Sequence, residues 1–323
     1  MIGYYIHHHG RGHLGRARAV ADALGEPVTG LSSLARPDAW PGEWIALALD
    51  VPDGGPDAAT ETTAQGRLHW APVGVDGLRD RMAAVSAWIA AARPSVVVVD
   101  VSVEVALLAR LHGVRVVTVA LPGVRDDDAH ALGFEVSTAI IAAWPPDATG
   151  MLSGLSAHAA ARLHPVGAVS RFPPAGETPS DAAASARPRR ALVLAGGGGD
   201  DFTAESIAAA RAGTPGWELT HIGGSSGRWV EDPREALRSA DVVVTHAGQT
   251  ALADVAAALR PAIVVPQRRP YGEQAASGRV LAAGPWPAIV VARMPVAGWG
   301  PLLAAAAALD GGGWRSWNDG GGA

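Results

Sequence analysis

Two valine runs constrain this chain more than anything else in it. Residues 96–99 are four consecutive valines ending on Asp100, and residues 242–244 are three more, leading through Thr245 to His246. Valine is stiff at χ1 and favours extended backbone, and a run that never alternates with polar residues has no face for water. Such runs fit strands of a parallel sheet covered on both sides. Each is followed by a turn and a stretch of helical spacing. The same unit recurs, with residues 2–6 before 17–24, residues 191–195 before a helix from Phe202, and further strands at 114–119, 138–144, 217–222 and 288–292. Strand–helix alternations fill the chain on both sides of a Pro-, Ala- and Ser-rich stretch at 165–189. That order predicts an α/β protein of two doubly wound, Rossmann-like domains joined by a linker. The 323 residues suffice for two cores.

Composition narrows the function classes. A formal net charge of −5 argues against a nucleic-acid partner, which a basic stripe would announce. The absence of cysteine removes disulfides, thiolate metal sites and a cysteine nucleophile. No apolar stretch approaches the ~20 residues that span a bilayer, and residues 1–6 are too short for a signal peptide. The expectation is a cytoplasmic protein with no transmembrane segment. His7, His8 and His9 on extended backbone would point to alternating faces and would not all reach one ion. The triplet Asp126, Asp127 and Asp128 reads as a solvated charge run, so neither a metal nor a cofactor is expected.

Residues 241–274 carry the most chemistry. The second valine run meets His246, Ala247 and Gly248, and residues 249–259 then have helical spacing. Backbone N–H groups at a helix start are unpaired and lie at the positive end of the macrodipole, so this junction suits a phosphate or diphosphate. His246, Gln249 and Thr250 can add side-chain donors. Asp254 lies one helical turn after Thr250, where a carboxylate can accept two hydrogen bonds from a ribose diol. Near the amino terminus, Gly10, Arg11, Gly12 and His13 form a turn of small residues around an imidazole suited to taking a proton near pH 7. His13 is either that base or a residue that closes the loop or touches phosphate. Asp100, at the carboxyl end of its strand, either orients His13 or caps the helix that follows. Arg16 either neutralises an anionic ligand or is a solvated helix residue, and Trp229 is either a stacking partner or packed core.

These segments resemble the GT-B glycosyltransferases, in particular the MurG-like enzymes of the glycosyltransferase family 28 type, with features of the UDP-glycosyltransferases. The resemblance implies two Rossmann-like domains facing each other across a cleft. It assigns diphosphate and ribose to His246, Gly248, Gln249, Thr250 and Asp254, donor-sugar hydroxyls to Glu273 and Gln274, and the nucleobase to the backbone near Val230. Gly197 and Gly198, in the glycine-rich turn after residues 191–195, would face the donor, and Gly12 and His13 would lie at the cleft. In the UDP-glycosyltransferase branch such a His is the general base, paired with an acid, here Asp100. Two positions depart from the pattern: Asp254 stands for the usual Glu and Ser277 for the usual Asn.

The expected domains are 1–165 on the acceptor side, a linker at 166–189, a nucleotide-sugar domain at 190–300, a helix at 301–309 crossing back to the first domain, and a flexible tail at 310–323. The resemblance implies a metal-independent transferase of the hexosyltransferase type, moving a sugar from a UDP- or dTDP-sugar to a hydroxyl of a small-molecule or lipid-linked acceptor. A nucleotide-sugar epimerase or hydrolase on the same fold, and a non-catalytic nucleotide-sugar-binding protein, are the rival readings.

Overall fold

The computed structural model describes residues 1–8, 12–51, 55, 61–176, 187–196, 202–224, 227–230 and 232–318. The described residues form two compact units, 1–143 with 152–165, and 144–151 with 166–318. Each is built on one parallel sheet.

The first unit's seven strands lie in the order Trp44–Ala46, Val28–Ser32, Ile2–Ile6, Val96–Asp100, Arg115–Ala120, Ala139–Ala142 and Leu163–Pro165. All neighbours pair in parallel. The chain builds outward in one direction from Ile2–Ile6, then returns to lay Val96–Asp100 on its other side, with Ile6 opposite Asp100. A reversal of strand order opens a crevice at the carboxyl ends of the two strands. Successive valines face opposite layers: Val97 and Val99 pack with Tyr5, Leu31 and Trp88, while Val98 packs with Tyr4, Ile6, Ala17 and Ala21. Both layers are apolar, which is why the run contains no polar position.

The second unit has five parallel strands in the order Trp217–Ile222, Arg189–Leu194, Val242–Thr245, Ala262–Val264 and Ala288–Val290. Here the order reverses between Arg189–Leu194 and Val242–Thr245, whose ends meet at Leu194 and Thr245.

Three sequence expectations are corrected. The helix expected to cross back spans Trp299–Ala307 and belongs to the second unit's own core, where Trp299, Leu303 and Ala306 are buried in one cluster with Val193, Val244 and Ile263. Its apolar residues recur at helical spacing and form a stripe that fits that sheet. Of the linker, residues 166–176 pack on the second unit: the Ala168 amide donates to the Trp317 carbonyl and the Ala175 amide to the Ala257 carbonyl. Residues 310–318 of the tail pack on the second unit. Gly311–Ser316 is a short 3-10 helix, Trp314 and Trp317 are buried, and Trp317 meets Trp286 edge-on at 4.7 Å. Glycine content misleads here because two indoles bury enough apolar surface to hold the three glycines that precede them. Trp314, whose Nε1 donates to the Arg260 carbonyl at 2.7 Å, provides a test. Trp314→Ala should destabilise the second unit by about 3–5 kcal/mol, read as a lower urea midpoint for its unfolding.

Candidate active site

In the first unit the helix that follows Ile2–Ile6 begins at Gly12, earlier than its apolar spacing suggests, and runs Gly12–Leu24. His13 and Arg16 are therefore three apart on a helix and share a face. Both turn towards the carboxyl end of Val96–Asp100. The Asp100 carboxylate, fully buried, accepts from Arg16 Nε at 3.0 Å and Nη2 at 2.8 Å, and meets His13 Nδ1 at 2.9 Å. Arg16 Nη2 also lies 3.2 Å from His13 Nδ1. The two contacts to Nδ1 make opposite demands on its proton. The carboxylate contact is the shorter, and Arg16 Nη2 is already donating to the same carboxylate oxygen. The proton therefore sits on Nδ1, is donated to Asp100, and leaves Nε2 as the basic nitrogen.

Burial alone would raise the Asp100 carboxyl, but Arg16 and His13 outweigh it and hold the group well below the usual carboxylate range. Tyr4, buried against the same cluster, has its phenol pushed well above its ordinary value, first by burial and then by the Asp100 charge. Arg16 is itself buried, so neither sequence reading of it holds: it is the counter-charge that keeps Asp100 ionised. Asp100 does not cap the next helix. Ser102 does, its Oγ accepting from the Val105 amide at 3.2 Å. Between them Val101 turns through the left-handed region, φ +64°.

In the second unit the helix Gln249–Ala257 follows closely on Val242–Thr245, and its N-cap is Gly248, which has no side chain to cap it. The positive end of the helix dipole lies at this turn, where an anion is favoured. Burial, reinforced by Arg269, pushes the His246 imidazole down to about 4, so it is neutral at pH 7. Its Nδ1 accepts from the Gly248 amide at 3.0 Å, which places the proton on Nε2. Glycine is required on both sides of this ring: a Cβ at Gly196 would lie 2.5 Å from His246 Nε2, and one at Gly248 2.5 Å from Cε1. Gln249 and Thr250 occupy the first turn, both half-buried.

Gln274 acts as a brace. Its Oε1 accepts from the Ala247 amide at 3.1 Å and the Gln267 amide at 2.9 Å, tying the His246 turn to the strand end at Pro266. Glu273 begins the helix Glu273–Ala283. Asp254 is 2% exposed and accepts from Ser170 Oγ at 3.1 Å and from Arg171 Nε and Nη2 at 3.1 and 3.0 Å. Burial pushes its carboxyl up to about 6, with Arg171 and Ser170 opposing. In this arrangement Asp254 anchors residues 170–171. Val230 is half-buried, and Trp229 is 45% exposed, so it is not a packed core side chain. Gly197 and Gly198 lie outside the described residues.

Residues 226–282, which contain His246 through Gln274, match the glycosyltransferase family 28 C-terminal domain. Three solved structures show the likeness of the whole chain. Acinetobacter baumannii MurG is 15% identical with a TM-score of 0.59, covering 99% of this chain and 94% of that one. The spinosyn rhamnosyltransferase SpnG complexed with thymidine diphosphate is 18% identical with a TM-score of 0.58, covering 92% and 88%. Phytolacca americana UGT2 complexed with UDP-2fluoro-glucose and pterostilbene is 16% identical with a TM-score of 0.61, covering 98% and 91%. The fold is GT-B. No curated protein matches by sequence. In GT-B terms the residues that match the family 28 model lie in the second unit, and the first holds the imidazole–carboxylate pair at its strand-order reversal.

Proposed function

We propose that this GT-B protein is a metal-independent glycosyltransferase that uses a nucleoside-diphosphate sugar. The second unit holds the donor: the start of Gln249–Ala257, Gln249, Thr250 and the neutral Nε2–H donor of His246 take the diphosphate and stabilise the charge that develops on it as it leaves. In the first unit His13 takes the proton of the acceptor hydroxyl through Nε2, and Asp100 stabilises the imidazolium that forms. The observation that carries this reading is the 2.9 Å contact between His13 Nδ1 and Asp100, at the strand-order reversal of a GT-B unit. The relatives solved with thymidine diphosphate and with a UDP-sugar support a pyrimidine nucleotide.

Thermal-shift titration with UDP, dTDP and GDP is the direct test. A ligand at a hundred times its Kd stabilises by about 2.7 kcal/mol, so UDP or dTDP should raise the transition by several degrees and GDP should not. A flat response to all three would sink the reading.

A further inference from the structure

The carboxylate that the helix Gln249–Ala257 offers to a ribose is taken up by the protein itself. Asp254 stands one turn after Thr250 on the same face, and it is the only polar residue of the helix beyond Thr250. No other side chain of this helix could take a sugar's hydroxyls past the diphosphate. Yet Arg171 Nε and Nη2 both donate to Asp254 Oδ2, at 3.1 and 3.0 Å, and Ser170 Oγ donates to Oδ1 at 3.1 Å. A carboxylate has about four acceptor positions. With three of them filled, a ribose diol, which needs two, finds one. That last position is buried with the rest of the side chain.

The donors are themselves held in place. Ser170 Oγ accepts from the Phe172 amide at 3.0 Å. The Ala168 amide is bonded to the Trp317 carbonyl, and the Ala175 amide to the carbonyl of Ala257, at the far end of the same helix. Residues 168–175 therefore form a strap fastened on both sides of Arg171. The Arg171 guanidinium lies over the Phe172 ring at 4.8 Å, and that of Arg234 over the same ring at 5.4 Å. Taking Arg171 away from a buried carboxylate costs more than one hydrogen bond to a sugar hydroxyl returns. A nucleotide bound at the helix start thus gains nothing by displacing the strap.

We propose that the donor site does not read the ribose 2′-hydroxyl, so that it takes 2′-deoxyribonucleoside diphosphates as readily as ribonucleoside diphosphates, and that Asp254 instead fastens the strap to the donor helix. The inference rests on the transferase reading for the presence of a nucleotide. Calorimetric titration of the full chain with UDP and with 2′-deoxyuridine diphosphate, which differ in one hydroxyl, tests it. Wild type should bind the two within about two-fold, whereas a hydrogen bond from the 2′-hydroxyl to a carboxylate would separate them by about ten-fold or more. Asp254→Asn should leave the ratio of the two affinities as it is in wild type, even where both affinities move together. A ten-fold preference of wild type for UDP would overturn this inference alone, whether or not Asp254→Asn removes it. Binding of neither nucleotide would overturn the transferase reading and take the inference with it. The ion pair is checked without any ligand by urea unfolding of Arg171→Met, Asp254→Asn and the double variant. The double variant should lose less than the sum of the two single losses, and additive losses would remove the pairing on which the inference stands.

Discussion

Replacing His13 with alanine should slow the chemical step by about 10²–10⁴-fold while leaving donor affinity unchanged. The measurement is single-turnover release of nucleoside diphosphate at saturating donor and acceptor. The size follows from what Nε2 does: without it the acceptor hydroxyl must lose its proton to water. Asp100→Asn should fall by a similar factor, because an amide in place of the carboxylate no longer fixes the proton on Nδ1 or stabilises the imidazolium. Donor affinity should stay put because the diphosphate is assigned to the other unit. His13→Ala retaining the full rate would remove it as base. Release of nucleoside diphosphate at the same rate without any acceptor would favour the hydrolase reading.

The second large effect is on stability. Asp100→Ala should cost about 3–5 kcal/mol, because it strands the buried Arg16 guanidinium without its carboxylate. Arg16→Met combined with Asp100→Leu should recover much of that loss, since neither charge is then buried alone. The pair also sets an acid limb. Asp100 has a folded-state pKa depressed below its unfolded value of about 3.9, so its contribution is complete above that value and is lost as pH falls from there towards the lower folded value. Urea denaturation at pH 7 and at acid pH should show wild type losing this contribution, while Asp100→Asn lacks it at both. Identical pH dependence in the two proteins would contradict the assignment of the ion pair.

What the sequence makes legible follows from the range of the interactions involved. The valine runs identify buried parallel strands because apolar patterning is local, and the two crevices follow because loops at strand ends carry the polar residues. Gly12 and His13, and His246 through Thr250, stand out for the same reason: each is a turn next to a recognisable strand. Arg16 is hidden, since its partner lies 84 residues away and an arginine on an Ala-rich helix reads as solvated. The signal available was its place one position before Ala17, on the helix face that packs against the sheet. The tail misleads because its glycine content hides what Trp314 and Trp317 bury, and the partners of Asp254 are hidden because helical spacing says nothing of Ser170 and Arg171, which reach it from another segment.

Val101 is a β-branched residue held in the left-handed region, a conformation that costs on the order of 1–3 kcal/mol. It separates Asp100 from Ser102, so the strand can end on one acid and the helix can start on the next polar residue. A side chain that the backbone disfavours therefore stands there, in a wall of a cavity that His69 also lines. Glycine at this position would relieve the strained backbone while removing a side chain from that wall, so any gain in melting temperature there would come with a change in the cavity's shape.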